Sequence, residues 1–366
     1  MATAVGIGRF VYTPILPLMV EDLGMTTGTA GLLASANFAG YLAGALAAAL
    51  PGLPGSRRRW LIVSLAVSAL TTAAMAVPSA SAALLALRFV GGVASAFGLV
   101  FSSALVLDRL GAAGRPRLAS LHFAGVGMGI AIDAVLAFLL SGRGWRALWL
   151  AAGLVSMIAV AVVAALIPDQ AGIAGSTSPR MAGPRRSQAS LIVAYGLFGF
   201  GYIITATFLV AIVRGSSELR AVEPVVWLVV GLTAAPSVAV WTFVESRAGI
   251  ERAFALACVL EAIGVAASGL WITPAGILLA AVLLGATFMG ITALGLIWGR
   301  RLAVGDPRKI LAVMTAAFGI GQIVAPTLAG VTHDATGSFL APSLAAAAAL
   351  LVAAALAMRL RRSPAL

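Results

Sequence analysis

Four ionisable side chains, Arg9, Arg88, Asp133 and Glu261, interrupt otherwise apolar runs of this 366-residue chain. A charge at the centre of a membrane-crossing run costs about 2.5–3.5 kcal/mol on insertion scales, so each needs a compensating role. An arginine there can hold a carboxylate; a buried acid can carry a proton. Counted at ~1.5 Å per residue, Arg88 and Asp133 lie ~9 and ~10 Å from the same end of their runs. Matching depths predict that the two pair, or that both face a central cavity. Protonating Asp133 in such a pair would free Arg88 for a substrate; a static strut is the plainer reading. Arg9 lies ~16 Å from that end, near mid-depth. Tyr12 shares its helical face, and Pro14 and Pro17 leave backbone carbonyls without helix donors just beyond. Arg9 is the expected lining of a substrate site, suited to a carboxylate-bearing ligand or to a partner acid. Asn37 and Tyr41, spaced i, i+4, and Gln322 can hydrogen-bond a ligand or a neighbouring helix.

The elements that must position these residues are twelve apolar runs: 1–20, 28–50, 60–77, 82–107, 119–140, 147–167, 190–213, 224–244, 253–272, 275–297, 310–331 and 340–358. Composition is 61% hydrophobic and 10% charged, with mean hydropathy +1.07. About 20 continuous apolar residues cross a bilayer as a helix, and the runs do not alternate as barrel strands would. The expected fold class is an all-α integral membrane protein with twelve transmembrane helices. The net charge of +12 sorts by side. Eighteen Lys and Arg fall on one side of the threaded chain and four, Arg143, Arg146, Arg214 and Arg220, on the other. That split follows the positive-inside rule and predicts a multi-pass protein of the cytoplasmic (inner) membrane with both termini cytoplasmic. The basic charge is thus a topology signal with anionic-lipid contact as its by-product, and no nucleic-acid partner is expected. The first run begins at Met1, which suggests a longer natural start upstream.

The polar stretch Pro168–Ala189 reads as a cytoplasmic linker. It separates a bundle over 1–167 from one over 190–366, each with six runs in the same orientation. A weak echo supports the repeat: Gly125 and Gly129 superpose on Gly321 and Ala325. Gly40 and Gly44 form a close-packing pair. Glu261 reads as packed and protonated, Cys258 as packing, His122 as a hydrated interfacial group and His333 as a solvated loop residue. Phe198, Tyr202, Trp227 and Trp298 are expected cavity aromatics. One cysteine excludes an intrachain disulfide, and no metal, cofactor, P-loop or catalytic motif is recognisable.

Three blocks carry a family resemblance: Gly6-Ile-Gly8-Arg9-Phe10-Val-Tyr12-Thr13-Pro14-Ile-Leu-Pro17-Leu-Met19; Leu33-Ala-Ser35-Ala-Asn37-Phe-Ala-Gly40-Tyr41-Leu-Ala-Gly44; and Ala317-Phe-Gly319-Ile-Gly321-Gln322-Ile-Val-Ala-Pro326. With these the whole chain resembles the major facilitator superfamily, nearest its YbfB/YjiJ-like transporters. Arg88, Gly92 and Ala96 match that superfamily's fourth-helix pattern. Its loop motif between helices two and three keeps Gly52 and Arg57, but Ser56 stands where the acid belongs. The resemblance implies two parallel six-helix bundles, with helices three, six, nine and twelve on the outside, away from the substrate path. That placement makes a binding role for Glu261 the weaker reading. It implies a monomeric secondary active transporter of a small organic solute, working by alternating access, proton-coupled and leaning to efflux. The substrate and proton pathway is expected at Arg9, Tyr12, Asn37, Tyr41, Arg88, Asp133 and Gln322. The competing reading is a membrane sensor or regulator that keeps the fold without turnover; a lipid-modifying enzyme is a third, which the absent catalytic motifs disfavour.

Overall fold

The computed structural model describes residues 1–50, 53–115, 118–168, 185–303 and 307–362. The expected linker falls largely on residues 169–184, outside the described residues, as do Gly52, Arg117 and Arg180. Twelve long helices make up the described chain: α1 (Ala2–Leu23), α2 (Thr27–Ala48), α3 (Arg57–Ala74), α4 (Ser81–Ala112), α5 (Ala119–Leu139), α6 (Gly144–Leu166), α7 (Arg185–Arg214), α8 (Glu223–Ala248), α9 (Ile250–Leu270), α10 (Pro274–Leu302), α11 (Pro307–Thr336) and α12 (Leu340–Arg362). Eleven are long and apolar enough to cross a membrane. The exception is α3, whose 18 residues open on Arg57, Arg58 and Arg59.

Local chemistry sets the helix ends. The side chains of Thr26, Ser56 and Thr273 accept the N–H three residues on, from Thr29, Arg59 and Gly276, satisfying donors that a helix start leaves free. Gly24, at φ +60°, makes the tight turn between α1 and α2. Large apolar side chains such as Leu154, Ile158, Phe138 and Ile320 are more than half exposed. On a protein in water such a belt would aggregate; against lipid it is the expected outer surface.

Within the first six helices, α4 packs on α2 and α3, α3 on α6, and α5 on the start of α1. Within the last six, α7 packs on α11 and α12, α9 on α10 and α12, and α8 on α10. Two long seams join the sets, α2 to α11 and α5 to α8, with a shorter contact between α1 and α7. Glycine sets the α5–α8 distance: a Cβ on Gly231 would stand 2.5 Å from the Ala131 nitrogen. The sequence echo has a spatial counterpart. Gly129 packs on Ala2 and Gly6 of α1, and Gly321 packs on Gly196 and Phe200 of α7.

Three expectations need correcting. His333 lies on the last turn of α11, which runs to Thr336, because Thr332, His333 and Asp334 continue the helix into contacts with α2. His122 is half-buried, with Nε2 3.3 Å from Ser103 Oγ. Trp298 of α10 is buried edge-on against Phe254 of α9 and lines neither of the two cavities described below. Cys258 is fully buried, as a packing residue should be.

Candidate functional site

The site begins at an irregular α1. Ala2–Ile7 is π-helical, Gly8–Phe10 regular, and the ladder is interrupted at Val11 before Tyr12–Leu23 resumes with Pro17 inside. A proline lacks an N–H, so Pro14 and Pro17 leave the carbonyls of Phe10 and Thr13 without their helix donors. Irregular backbone of this kind is tolerated at membrane depth where protein surrounds it. All of Thr3–Pro17 is buried.

Arg9 sits just before the interruption. Its guanidinium carbon lies 4.3 Å from the Tyr41 ring centre, 4.9 Å from Phe38 and 5.7 Å from Phe10. No carboxylate lies within 4 Å of it among the described residues, and its Nε and Nη2 are buried without a hydrogen-bond partner. A desolvated cation over aromatic faces gains about 2 kcal/mol, which offsets only part of its insertion cost. The partner-acid reading of Arg9 is not realised. What remains is a buried cation with two unpaired donors.

Arg88 has a different environment. It lies over Tyr12, 4.7 Å from the ring centre, and its Nε donates to the Leu33 carbonyl at 3.4 Å. The Tyr12 hydroxyl donates to the Ala30 carbonyl at 2.8 Å, and its ring stacks on Trp149. Asn37 Nδ2 donates to the Arg88 carbonyl at 2.9 Å, while Asn37 Oδ1 is unpartnered. Tyr12 therefore serves Arg88 and not Arg9. Asn37 ties α2 to α4 where Gly92 lets the backbones meet: a Cβ there would fall on the Asn37 carbonyl.

Asp133 does not pair with Arg88. Both its oxygens are buried without a partner. The two residues stand on helices with different partners: α4 packs chiefly on α2 and α3, whereas α5 packs on α1 and α8. The contacts of Gly125 with Ala2 and of Gly129 with Gly6 set α5 parallel to α1. One turn further, that register brings Asp133 level with Phe10.

The second half contributes an aromatic column. Tyr202 stacks on Phe288 (5.7 Å), Phe198 (5.1 Å) and Phe318 (5.9 Å), and Phe10 meets Phe288 at 5.8 Å, edge to face. Gln322 Nε2 donates to the Tyr202 hydroxyl, leaving Gln322 Oε1 buried and unpartnered. Phe10, Ile130, Tyr202, Trp227 and Phe288 close round a space too small for a ligand. Sequence reading missed Phe38, Phe288 and Phe318. The i, i+3, i+7 spacing of Tyr195, Phe198 and Tyr202 marked the column, and Phe318 stands one turn before Gln322.

Glu261 lies elsewhere. It is fully buried between α9 and α10, with Oε2 2.8 Å from Thr287 Oγ1. Thr287 has one hydroxyl hydrogen and a second acceptor, the Leu283 carbonyl, at 2.6 Å. A glutamine can satisfy the same partners. Glu261→Gln is expected to change thermal stability by less than about 1 kcal/mol and to leave solute exchange intact, measured by thermal shift and by flux in proteoliposomes.

The two ends of the molecule differ. At the arginine-poor end, polar contacts join the two sets of six helices. Thr13 Oγ1 donates to the Ala206 carbonyl at 2.7 Å, and Ser35 Oγ to the Ile323 carbonyl at 2.6 Å. Arg214, bound to Glu223 through Nε at 2.7 Å, approaches Glu21 at 3.9 Å. A cavity of about 290 Å³ remains there, lined by Pro14, Leu18, Arg214 and Trp227. At the arginine-rich end the sets part around a cavity of about 710 Å³ between α4, α5, α8 and α10. Its walls include Leu107, Phe123, Phe243 and Leu296, with Arg300 the one charged lining residue among the described residues. The volume suits a small organic molecule.

Comparison with known proteins agrees with this geometry. The chain superposes on nucleoside transporter NupG with TM-score 0.69 over 99% of this chain and 98% of that one, at 15% identity. A mutant of the same transporter gives TM-score 0.74 over 98% of both chains, at 16% identity. A gallate transporter of Pseudomonas putida is 26% identical over 181 residues, which span 49% of this chain and 38% of that protein. A family model described as "Uncharacterised MFS-type transporter YbfB" matches residues 1–358. The chain is a multi-pass membrane protein, and it belongs to the YbfB-type family of MFS transporters.

Proposed function

We propose that the protein is a secondary active transporter that moves a small aromatic carboxylate through a central site at Arg9. The observation that carries this reading is a buried arginine with free donors, ringed by Phe10, Phe38 and Tyr41 and by no acid. A carboxylate would satisfy the guanidinium bidentately, and the rings offer faces to an aromatic body. The gallate transporter is a relative whose cargo has this chemistry. Tyr41 frames the site, Gln322 Oε1 offers an acceptor on the opposite half, and Arg88, Tyr12 and Asn37 hold α2 against α4.

The twelve helices work as two six-helix halves, 1–167 and 190–366, rocking about the glycine-lined α5–α8 seam. The arrangement is closed at the arginine-poor end and open at the other. By the charge rule the open end is cytoplasmic, in the inner membrane, with both termini inside and basic side chains meeting anionic lipid. An organic anion enters the cavity past Arg300 and climbs to Arg9, which suits efflux. One chain contains the whole path, so the unit is a monomer.

Asp133 is the proton carrier, because it lacks any donor that would hold it as a fixed charge. Asp133→Asn is expected to keep substrate exchange between equal pools while abolishing accumulation driven by a pH gradient. The two modes are compared with labelled gallate in proteoliposomes; equal loss of both would remove Asp133 from coupling. In the same assay, binding of gallate without flux would favour the sensor reading.

A further inference from the structure

The amino end of α2 borrows its cap from the other half of the molecule. Helix starts leave their first N–H groups without internal acceptors. Thr26 takes the Thr29 N–H for itself. The next two donors go to Asp334 on the last turn of α11: Thr27 N–H to Oδ1 at 2.8 Å and Gly28 N–H to Oδ2 at 2.7 Å. His333, beside it, has Nδ1 3.1 Å from Thr27 Oγ1 and its ring stacked on Phe339. The backbones can come this close because both faces are glycine. A Cβ on Gly330 would stand 2.9 Å from the Gly28 Cα, and a Cβ on Gly28 2.8 Å from Asp334 Oδ2. The helix dipole and two charge-assisted bonds therefore act together at one carboxylate. Below it the same seam continues through Ser35, Ile323 and Thr327.

We propose that Asp334 is the latch that holds the arginine-poor end shut, by capping α2 across the boundary between the halves only in this conformation. The proposal rests on the alternating-access reading above. Parting the halves at this end separates α2 from α11, so both N–H groups must exchange a carboxylate for water, which biases the equilibrium toward the present state.

The test is conformational and needs no known substrate. The single native cysteine, Cys258, is fully buried, which gives engineered cysteines a quiet background. Leu18→Cys reports the cavity at the arginine-poor end and Thr242→Cys the one at the other. Purified full-length protein is alkylated with a polar maleimide. D334N keeps the shape but turns one acceptor into a donor facing a donor. T27P deletes one of the two N–H groups at the first helical position, where proline is tolerated. Each is expected to speed labelling of the Leu18→Cys reporter about two- to fivefold, the range for a charge at a helix end, and the double variant to add little. Slower labelling of the Thr242→Cys reporter in the same variants supports the proposal further. Unchanged Leu18→Cys labelling in D334N, or fully additive effects in the double variant, overturns it. Should T27P not fold, D334N alone decides, since Asp334 is exposed. A labelling shift in a protein that moves no carboxylate leaves the latch standing and removes the transport reading instead.

Discussion

Arg9→Met is expected to make the protein more heat-stable and a far weaker binder of its cargo. The two effects have one cause. Arg9 keeps two guanidinium nitrogens unpaired in a buried site. Insertion costs about 2.5–3.5 kcal/mol for such a charge, and an unsatisfied buried donor adds about 1–3 kcal/mol. Cation–π contact with Tyr41 and Phe38 returns about 2 kcal/mol. The balance is unfavourable, so an apolar side chain of similar length relieves it by about 1 kcal/mol or more. A carboxylate ligand loses its counter-ion in the same substitution, and affinity is expected to fall about 100-fold, on the scale of a broken buried ion pair. Thermal shift in detergent and calorimetric titration with gallate read the two effects. A packing arginine would give the reverse: lower stability and unchanged affinity.

Gly92→Val is expected to destroy the first half. A Cβ at Gly92 lands on the Asn37 carbonyl, with the Tyr41 nitrogen at 2.9 Å, and one at Gly40 lands on the Phe89 carbonyl. Both obstacles are helical backbone, which cannot turn aside as a side chain can. Overpacking against backbone costs about 3 kcal/mol or more. The penalty falls on the α2 face that presents Asn37, Phe38 and Tyr41, so surviving protein should also lose binding. Gly111→Ala is the contrast, since nothing lies within 4 Å of a Cβ there. It is expected to be neutral or to stabilise α4 by up to about 1 kcal/mol. Size-exclusion profiles and thermal shift after parallel purification distinguish these outcomes.

The membrane helices were legible because lipid demands continuous apolar length and little else. Arg57–Ala74 shows the limit: helical and in register with the others, yet its three arginines set it apart from a span judged by composition. The burial of Arg9 was also legible, since an arginine among Ala, Val and Phe residues announces itself. Angular position was not. Depth counts residues along an axis, whereas contact depends on rotation about it, so Arg88 and Asp133, matched by counting, face different neighbours. The same blindness attached Tyr12 to Arg9, although the interruption at Val11 lies between them. Phe38 and Phe318 escaped because phenylalanine in an apolar run carries no signal until a cation or a stacking partner is placed beside it. The Asp334 cap joins helices more than 300 residues apart in sequence, and no local pattern announces such a contact.

Transport here means movement of an aromatic carboxylate past the Arg9 guanidinium. Its most direct test is exchange of labelled gallate in proteoliposomes holding unlabelled gallate, with wild-type and Arg9→Met protein side by side. Saturable exchange that excess benzoate suppresses is expected of the wild type, and exchange no faster than empty vesicles of Arg9→Met. Equal exchange by both proteins would contradict this role of Arg9.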